Sequence, residues 1–255
     1  MSVVVEARVD SQQQPVLSLK DVNLIRRQGG SSFELQIPDF QVARGEFIAV
    51  TGESGCGKST LLDMLALVLQ PQQGGEFQFL DPAGNVQDIS ALWRDSAEDQ
   101  LAVLRRTRLG YVPQSGGLLP FLSISQNLYL PPRLNGQKDY EHRIRAFARR
   151  LGIHGLFSRM PQSLSGGQRQ RAAILRAMAH EPDIILADEP TAAVDAGRAQ
   201  KIVSEFRALA RSQGTAIIMV THDKNLVEHN SDGHFVFEVD SSDEQRVVSV
   251  CRRRE

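Results

Sequence analysis

Tryptophan occurs once in this 255-residue chain, cysteine twice and tyrosine three times. Two widely spaced cysteines, Cys56 and Cys251, make neither a disulfide framework nor a zinc site, and a reducing cytoplasm is the simplest setting for them. An excess of one charge is also missing. Lys and Arg number 29 against 30 Asp and Glu, a net charge of −1, so no global field draws the chain to nucleic acid. Arg252–Arg254 forms the nearest thing to a basic run and reads as a solvated tail. No stretch approaches about 18 apolar residues, the length that spans a bilayer. The best candidate, 61–69, is short and carries Asp63. The N-terminus has neither the basic nor the apolar region of a signal peptide. What remains is the composition of an ordinary globular domain, 41% hydrophobic and 23% charged, long enough to bury a full core.

Residues 1–15 are polar and are expected as a flexible tail. Alternating patterns over 16–25 and 33–37, separated by the Gly29-Gly30 turn, predict an antiparallel β region. Apolar runs over 45–50, 109–113, 183–187 and 215–220 lack period two, and helical patterns stand between them. That arrangement predicts a mostly parallel sheet covered by helices. The segment from about 115 to 175 reads as an inserted helical subdomain. Its amphipathic stretch 141–151 puts Ile144, Phe147, Ala148 and Leu151 on one side, leaving Arg143, Arg145, Arg149 and Arg150 as a solvated face. A last strand is expected over 235–239 and a C-terminal tail over 241–255.

Gly52-Glu53-Ser54-Gly55-Cys56-Gly57-Lys58-Ser59, followed by Thr60, matches G-x-x-x-x-G-K-[ST] at every fixed position. Glycines let the backbone wrap closely and turn its N–H groups inward, and the helix that follows offers its N-terminus to an anion. Lys58 adds positive charge at the β- and γ-phosphates, and the Ser59 hydroxyl is an oxygen ligand of the kind Mg²⁺ takes. Chance produces the pattern in roughly one chain in a hundred of this length; the preceding apolar strand and following helix make chance a poorer account still. Cys56 reads as filler within the loop.

The apolar run 184–187 ends in Asp188-Glu189. Ligands of open α/β sheets sit beyond the C-terminal ends of strands. Asp188 is therefore expected to face the metal held by Ser59, and Glu189 to lie near the γ-phosphate, where it could deprotonate an attacking water. The bland alternative, an acidic turn, does not explain why the pair follows a phosphate loop.

Leu164-Ser165-Gly166-Gly167-Gln168 opens a second helix and is similar to the signature of the ABC family of ATPases. Other stretches resemble that family in order: Tyr111-Val112-Pro113-Gln114 its Q-loop, Val194-Asp195 its D-loop, and Val220-Thr221-His222-Asp223 its switch region. The resemblance spans about residues 16–240. It implies an α/β P-loop NTPase that binds and hydrolyses ATP with Mg²⁺, with Ser59, Asp188 and Gln114 at the metal and Glu189, His222 and Gln114 at the reacting phosphate. Ser165, Gly166, Gly167, Gln168 and Asp195 would serve the site of a second copy in a head-to-tail dimer. It further implies a separate transmembrane permease as partner, no nucleic acid, and a peripheral position on the cytoplasmic face of the inner membrane.

Two departures stand out. Where the family carries an aromatic that stacks on adenine, this chain has Leu24-Ile25-Arg26-Arg27, and 191–195 lacks the usual Gly-Asn-Leu. Leu186–Thr191 and Asn127–Pro131 resemble the lipoprotein-release and macrolide-export type, with a type VI secretion-associated subgroup left open. The apolar stretch 118–130 would help receive a helix of the membrane subunit. A chromosome-maintenance head would need a long coiled coil, which is absent, and a two-cassette translation factor would be longer. A nucleotide-dependent regulator or scaffold with little turnover stays open at this point.

Overall fold

The computed structural model describes residues 15–254 except 73, 82, 193–195, 229 and 244; the expected N-terminal tail lies almost wholly outside that range. The strands are β1 (Pro15–Gln28), β2 (Ser31–Ala43), β3 (Phe47–Thr51), β4 (Glu76–Leu80), β5 (Val86–Asp88), β6 (Leu109–Val112), β7 (Ile184–Asp188), β8 (Ala216–Thr221), β9 (Gly233–Asp243) and β10 (Arg246–Arg253). They join in one mixed sheet, in the order β5-β4-β1-β2-β10-β9-β3-β8-β7-β6. The half from β9 to β6 is parallel, and β1, β2, β4 and β5 pair antiparallel. This is the α/β arrangement anticipated. The parallel strands β3 and β8 are buried along their whole length, which is why their sequences run apolar without alternation.

The helices are α1 (Lys58–Leu65), α2 (Ile89–Arg94), α3 (Glu98–Arg108), α4 (Ile124–Leu134), α5 (Tyr140–Arg150), α6 (Gly166–Met178), α7 (Ala196–Gln213) and α8 (Lys224–Val227). Helices α1 to α3 cover one face of the sheet, through Leu61, Leu65, Trp93 and Leu101. Helix α7 and part of α6 cover the other, through Ile174, Ala177, Val203 and Phe206. The opposite side of α6, Ala172, Leu175 and Ala179, packs with α4 and α5 in a third core. Helix α6 therefore joins the inserted helices to the sheet, with Phe147 of α5 also packed against both cores. Arg143 is tied in more closely than a solvated face would require: it donates to the Ala179 carbonyl at 2.9 Å and meets Glu181 at 3.0 Å.

The C-terminal region differs from expectation. Residues 246–253 form β10, lying between β2 and β9 inside the sheet, parallel to β2 and antiparallel to β9. Val247, Ser249 and Cys251 share one face by period two, and Ser249 and Cys251 are fully buried. Of the arginines that suggested a tail, Arg254 meets Glu228 at 3.0 Å at the rim, and Arg246 at the start of β10 meets Glu34 at 2.8 Å.

Deleting residues 246–255 should expose the facing edges of β2 and β9 and part of the core, and cost more than about 3 kcal/mol. The expected result is insoluble protein or a sharply lowered urea midpoint. A deleted chain with the wild-type midpoint would show that β10 is dispensable to the sheet.

Candidate functional site

The loop between β3 and α1 is built around its glycines. Gly55 and Gly57 have φ of +83° and +105°, conformations a side chain disfavours. A Cβ on Gly57 would also come within 2.7 Å of the Phe33 ring, and one on Gly52 within 2.5 Å of Cys56 Sγ. Phe33 of β2 and Phe237 of β9 thus back the loop from behind. Ser249 on β10 donates to the Cys56 carbonyl at 2.5 Å. Cys56 is buried, and burial pushes its thiol pKa up despite Lys58 nearby; it packs as a neutral filler. Gly57 caps α1 without any side-chain acceptor, so the first-turn N–H groups depend on something else. Lys58 Nζ donates to the carbonyls of Gly52 and Glu53 at 2.8 and 2.6 Å.

These pieces border a cleft of about 380 Å³ lined by Ser54, Gly55, Gly57, Lys58, Ser59, Thr60, Gln114, Asp188 and Glu189. Parallel pairing brings the C-terminal ends of β3, β6, β7 and β8 to one edge, which carries Gln114 and the two carboxylates to the loop. Glu189 has a φ of +43°, an unusual conformation for a residue with a side chain. Its N–H donates to the Val220 carbonyl at 3.0 Å, holding the turn. Its Oε2 lies 3.1 Å from His222 Nδ1, a pairing that puts the proton on Nδ1 when the carboxylate is ionised. His222, just beyond β8, is itself largely exposed.

Burial, then Glu189 and Asp63, raise the Asp188 pKa, and Lys58 only partly offsets them. Burial, then the charges of Asp188 and Asp63, push the Tyr111 pKa up to about 12. Sequence reasoning missed Asp63 as part of this acidic surrounding; it sits one turn beyond Ser59 on α1, a spacing that could have pointed to it. The donors that converge here, the Ser59 hydroxyl, the Asp188 carboxylate and the Gln114 amide, are all oxygens beside crowded negative charge, and they fit a small hard dication. Among the described residues no cluster of three or more His, Cys, Asp or Glu is placed to hold a metal.

The remaining expected residues lie elsewhere. Ser165, Gly166, Gly167 and Gln168 open α6 outside this cleft. Ser165 and Gln168 form a reciprocal cap, with Ser165 N–H donating to Gln168 Oε1 at 3.0 Å and Gln168 N–H to Ser165 Oγ at 3.4 Å. Gly166 is exposed, and a Cβ there would meet nothing within 4 Å. Among the described residues, nothing requires a glycine at that position. Asp195 lies outside the described residues. Sequence reasoning also missed Asn127: fully buried, it accepts from Leu119 N–H at 2.8 Å and donates to the carbonyls of Leu119, Leu122 and Ser123. It thereby fixes the segment that follows Gln114, and Arg176 of α6 also clasps that segment at the Gly117 carbonyl.

The family model described as ABC transporter matches residues 35–192. The lipoprotein-releasing system ATP-binding protein LolD of Legionella pneumophila is 37% identical over 192 residues, covering 74% of this chain and 80% of LolD. The macrolide export ATP-binding/permease protein MacB of Marinobacter nauticus is 37% identical over 221 residues, covering 84% of this chain. The chain spans only about a third of MacB's length (32%). Among solved structures, a dimeric post-hydrolysis state of the ATP-binding cassette MJ0796 bound to ADP and Pi superposes with a TM-score of 0.72 at 30% identity, covering 86% of this chain and 93% of that one.

Replacing Gly57 by Ala should strain the loop and press on Phe33, costing about 1–3 kcal/mol and most phosphate affinity, read by calorimetric titration; wild-type binding would deny the loop its role. The raised Asp188 pKa means that the folded chain holds that proton more tightly than the unfolded chain. Its contribution to stability is complete below the unfolded value and lost as pH rises through the folded one. Asp188→Asn should therefore raise the melting temperature of the ligand-free protein at pH 7.5. A lower melting temperature would contradict the crowding.

Proposed function

The chain belongs to the ABC transporter family, and on that premise we propose that it is the ATP-binding and hydrolysing subunit of a membrane transporter, working as a head-to-tail pair. The observation that carries this reading is the presence of two helix starts suited to anions on one chain. One is the loop before α1, which lines a cleft. The other is the start of α6, exposed and carrying a glycine that nothing among the described residues needs small. A second copy gives the latter a use, because its N–H groups could close over the phosphates held by the first.

In this account the N–H groups of 52–60 and Lys58 Nζ hold the β- and γ-phosphates of ATP, with Lys58 leaving the loop carbonyls as it does so. Ser59, Asp188 and Gln114 would hold Mg²⁺. The chemistry a bound Mg²⁺ supplies is charge neutralisation at the phosphate oxygens. Glu189 takes a proton from the attacking water, and Gln114 and His222 orient that water and the γ-phosphate. Water adds to phosphorus as the bond to the ADP oxygen breaks, giving ADP and phosphate. Ser165, Gly166, Gly167, Gln168 and Asp195 act in the site of the other copy.

The partner is a separate transmembrane permease. No helix among the described residues is long and apolar enough to cross a membrane. The segment after Gln114 exposes Phe121, at 71%, and is proposed to meet the permease, with this chain peripheral on the cytoplasmic face of the inner membrane. Arg176 ties that segment to α6 and Asn127 ties it to α4, so closure at the phosphates has a mechanical route to the permease. Lipoprotein release or macrolide export describes the kind of machine that the similar proteins belong to, and this chain is proposed to power one of that type.

Glu189→Gln should retain ATP binding, lower turnover by at least about 100-fold, and elute as an ATP-loaded pair in size exclusion. Turnover at the wild-type rate would remove Glu189 as the base. A wild-type chain with no turnover, with or without its permease, would instead favour a regulatory subunit.

A further inference from the structure

Residues 115–175 carry nine Lys and Arg against two Asp and Glu, and the rest of the chain carries 20 against 28. The near-neutral total thus hides two bodies of opposite sign, and the inserted helices are the positive one. Two of their cations are engaged within the protein: Arg143 meets Glu181, and Arg169 donates to the Leu164 carbonyl. Arg133, Lys138, Arg145, Arg149, Arg150 and Arg159 are exposed. Among the described residues none of these six has a carboxylate within 4 Å.

Four of the six are neighbours. Arg145 and Arg149 are four apart on α5 and share one side of it, turned away from buried Ile144 and Ala148. Arg150 follows, its guanidinium 5.7 Å from the centre of the Phe147 ring. Arg145 lies 5.3 Å from the centre of the Phe157 ring, and Arg159 stands two residues beyond that ring. The 157–159 main chain is fastened to the start of α4: Ser125 N–H donates to the Phe157 carbonyl at 3.0 Å, and Ile124 N–H to the Arg159 carbonyl at 2.9 Å. Phe121 is three residues before Ile124, so the basic patch borders the segment proposed to meet the permease. The helix dipole accounts for Glu141 in the first turn of α5 and for Arg149 and Arg150 in its last. It accounts neither for Arg145 in mid-helix, nor for Arg159 in a bend, nor for the scarcity of acids throughout the insertion.

We propose, resting on the peripheral placement above, that this basic face lies against anionic lipid headgroups of the bilayer beside the permease. A permease is embedded in the bilayer, so a cationic surface next to its contact looks toward headgroups, and the cytoplasmic leaflet is negative and attracts Lys and Arg. Guanidinium forks match phosphate oxygens, while the stems of Arg145 and Arg150 stay against aromatic rings. The acidic remainder of the chain is repelled by the same surface. The two bodies of charge therefore orient the chain, inserted helices toward the membrane, and hold it there with residues 118–130 presented to a permease.

The test uses the full chain alone, mixed with vesicles of phosphatidylcholine or of phosphatidylcholine with about 30% phosphatidylglycerol, the bound fraction being read by co-sedimentation. Binding to the anionic vesicles should be tighter by about ten-fold or more at about 0.1 M NaCl and should be lost at about 0.5 M. Arg145→Gln, Arg149→Gln and Arg159→Gln together should weaken it by about 100-fold, and Arg149→Gln alone by about five-fold if the triple variant folds poorly. Lys20→Gln, Arg27→Gln and Arg94→Gln together change net charge equally, away from the insertion, and should leave binding within about three-fold. Equal binding to both kinds of vesicle, or equal losses in the two triple variants, would overturn the proposal. Binding to neither kind would also overturn it, in favour of an acidic protein surface as the occupant. None of these results bears on ATP turnover. Failure of the peripheral placement would show separately, as no association with membranes that contain the permease.

Discussion

Everything in the proposed site depends on holding one short stretch of main chain, residues 52–59, in a bend that turns its N–H groups toward an anion. Such a bend is costly for a free chain, because it needs positive φ at Gly55 and Gly57 and leaves the first turn of α1 without a side-chain cap. The surrounding structure holds it from three directions. Phe33 and Phe237 press on it from behind, Ser249 grips the Cys56 carbonyl, and Lys58 bridges the carbonyls of Gly52 and Glu53. Once the loop is fixed, the parallel order of β3, β8, β7 and β6 decides which residues can reach it. Those are the ones just past the strand ends: Gln114, Asp188, Glu189 and His222.

The phosphate end of the site was legible in the sequence because it depends on local chemistry. A loop that needs particular backbone angles must spell out its glycines, and an acid pair at the end of an apolar strand has few other uses. The parallel half of the sheet was legible for a similar reason, since Phe47–Thr51 and Ala216–Thr221 are buried on both faces and cannot alternate. The C-terminal strand was not. Arg252 and Arg254 looked like solvated charge, whereas their acid partners, Glu238 and Glu228, lie on segments that only the fold brings near. Arg26 was visible as a departure from the family pattern, but its neighbours Phe33 and Val247 are set by cross-strand register, which one sequence does not display.

Strength and movement are distributed unevenly. At the end of the sheet away from the phosphate cleft, buried Asp183 meets Arg44 at 2.7 Å and Arg108 at 2.9 Å, joining three segments rigidly. Near the cleft the ties run through α6 instead. Its start carries the Ser165 cap, its body serves two cores, and its Arg176 holds the segment beyond Gln114. Under the proposed reading, a helix anchored in this way converts a small shift at its N-terminus into a shift of the inserted helices, because packed cores move as units.

The central claim is that the phosphates bound by one copy are closed over by the α6 start of another. Site-directed cross-linking addresses it most directly. Chains carrying Ser54→Cys and chains carrying Gly166→Cys, both in a Glu189→Gln background, are mixed with Mg²⁺ and ATP under mild oxidation. The account predicts a disulfide-linked species of twice the chain mass, formed from the mixture and dependent on ATP. A mixture that stays monomeric with ATP, or a doubly substituted chain that links only within itself, would contradict it.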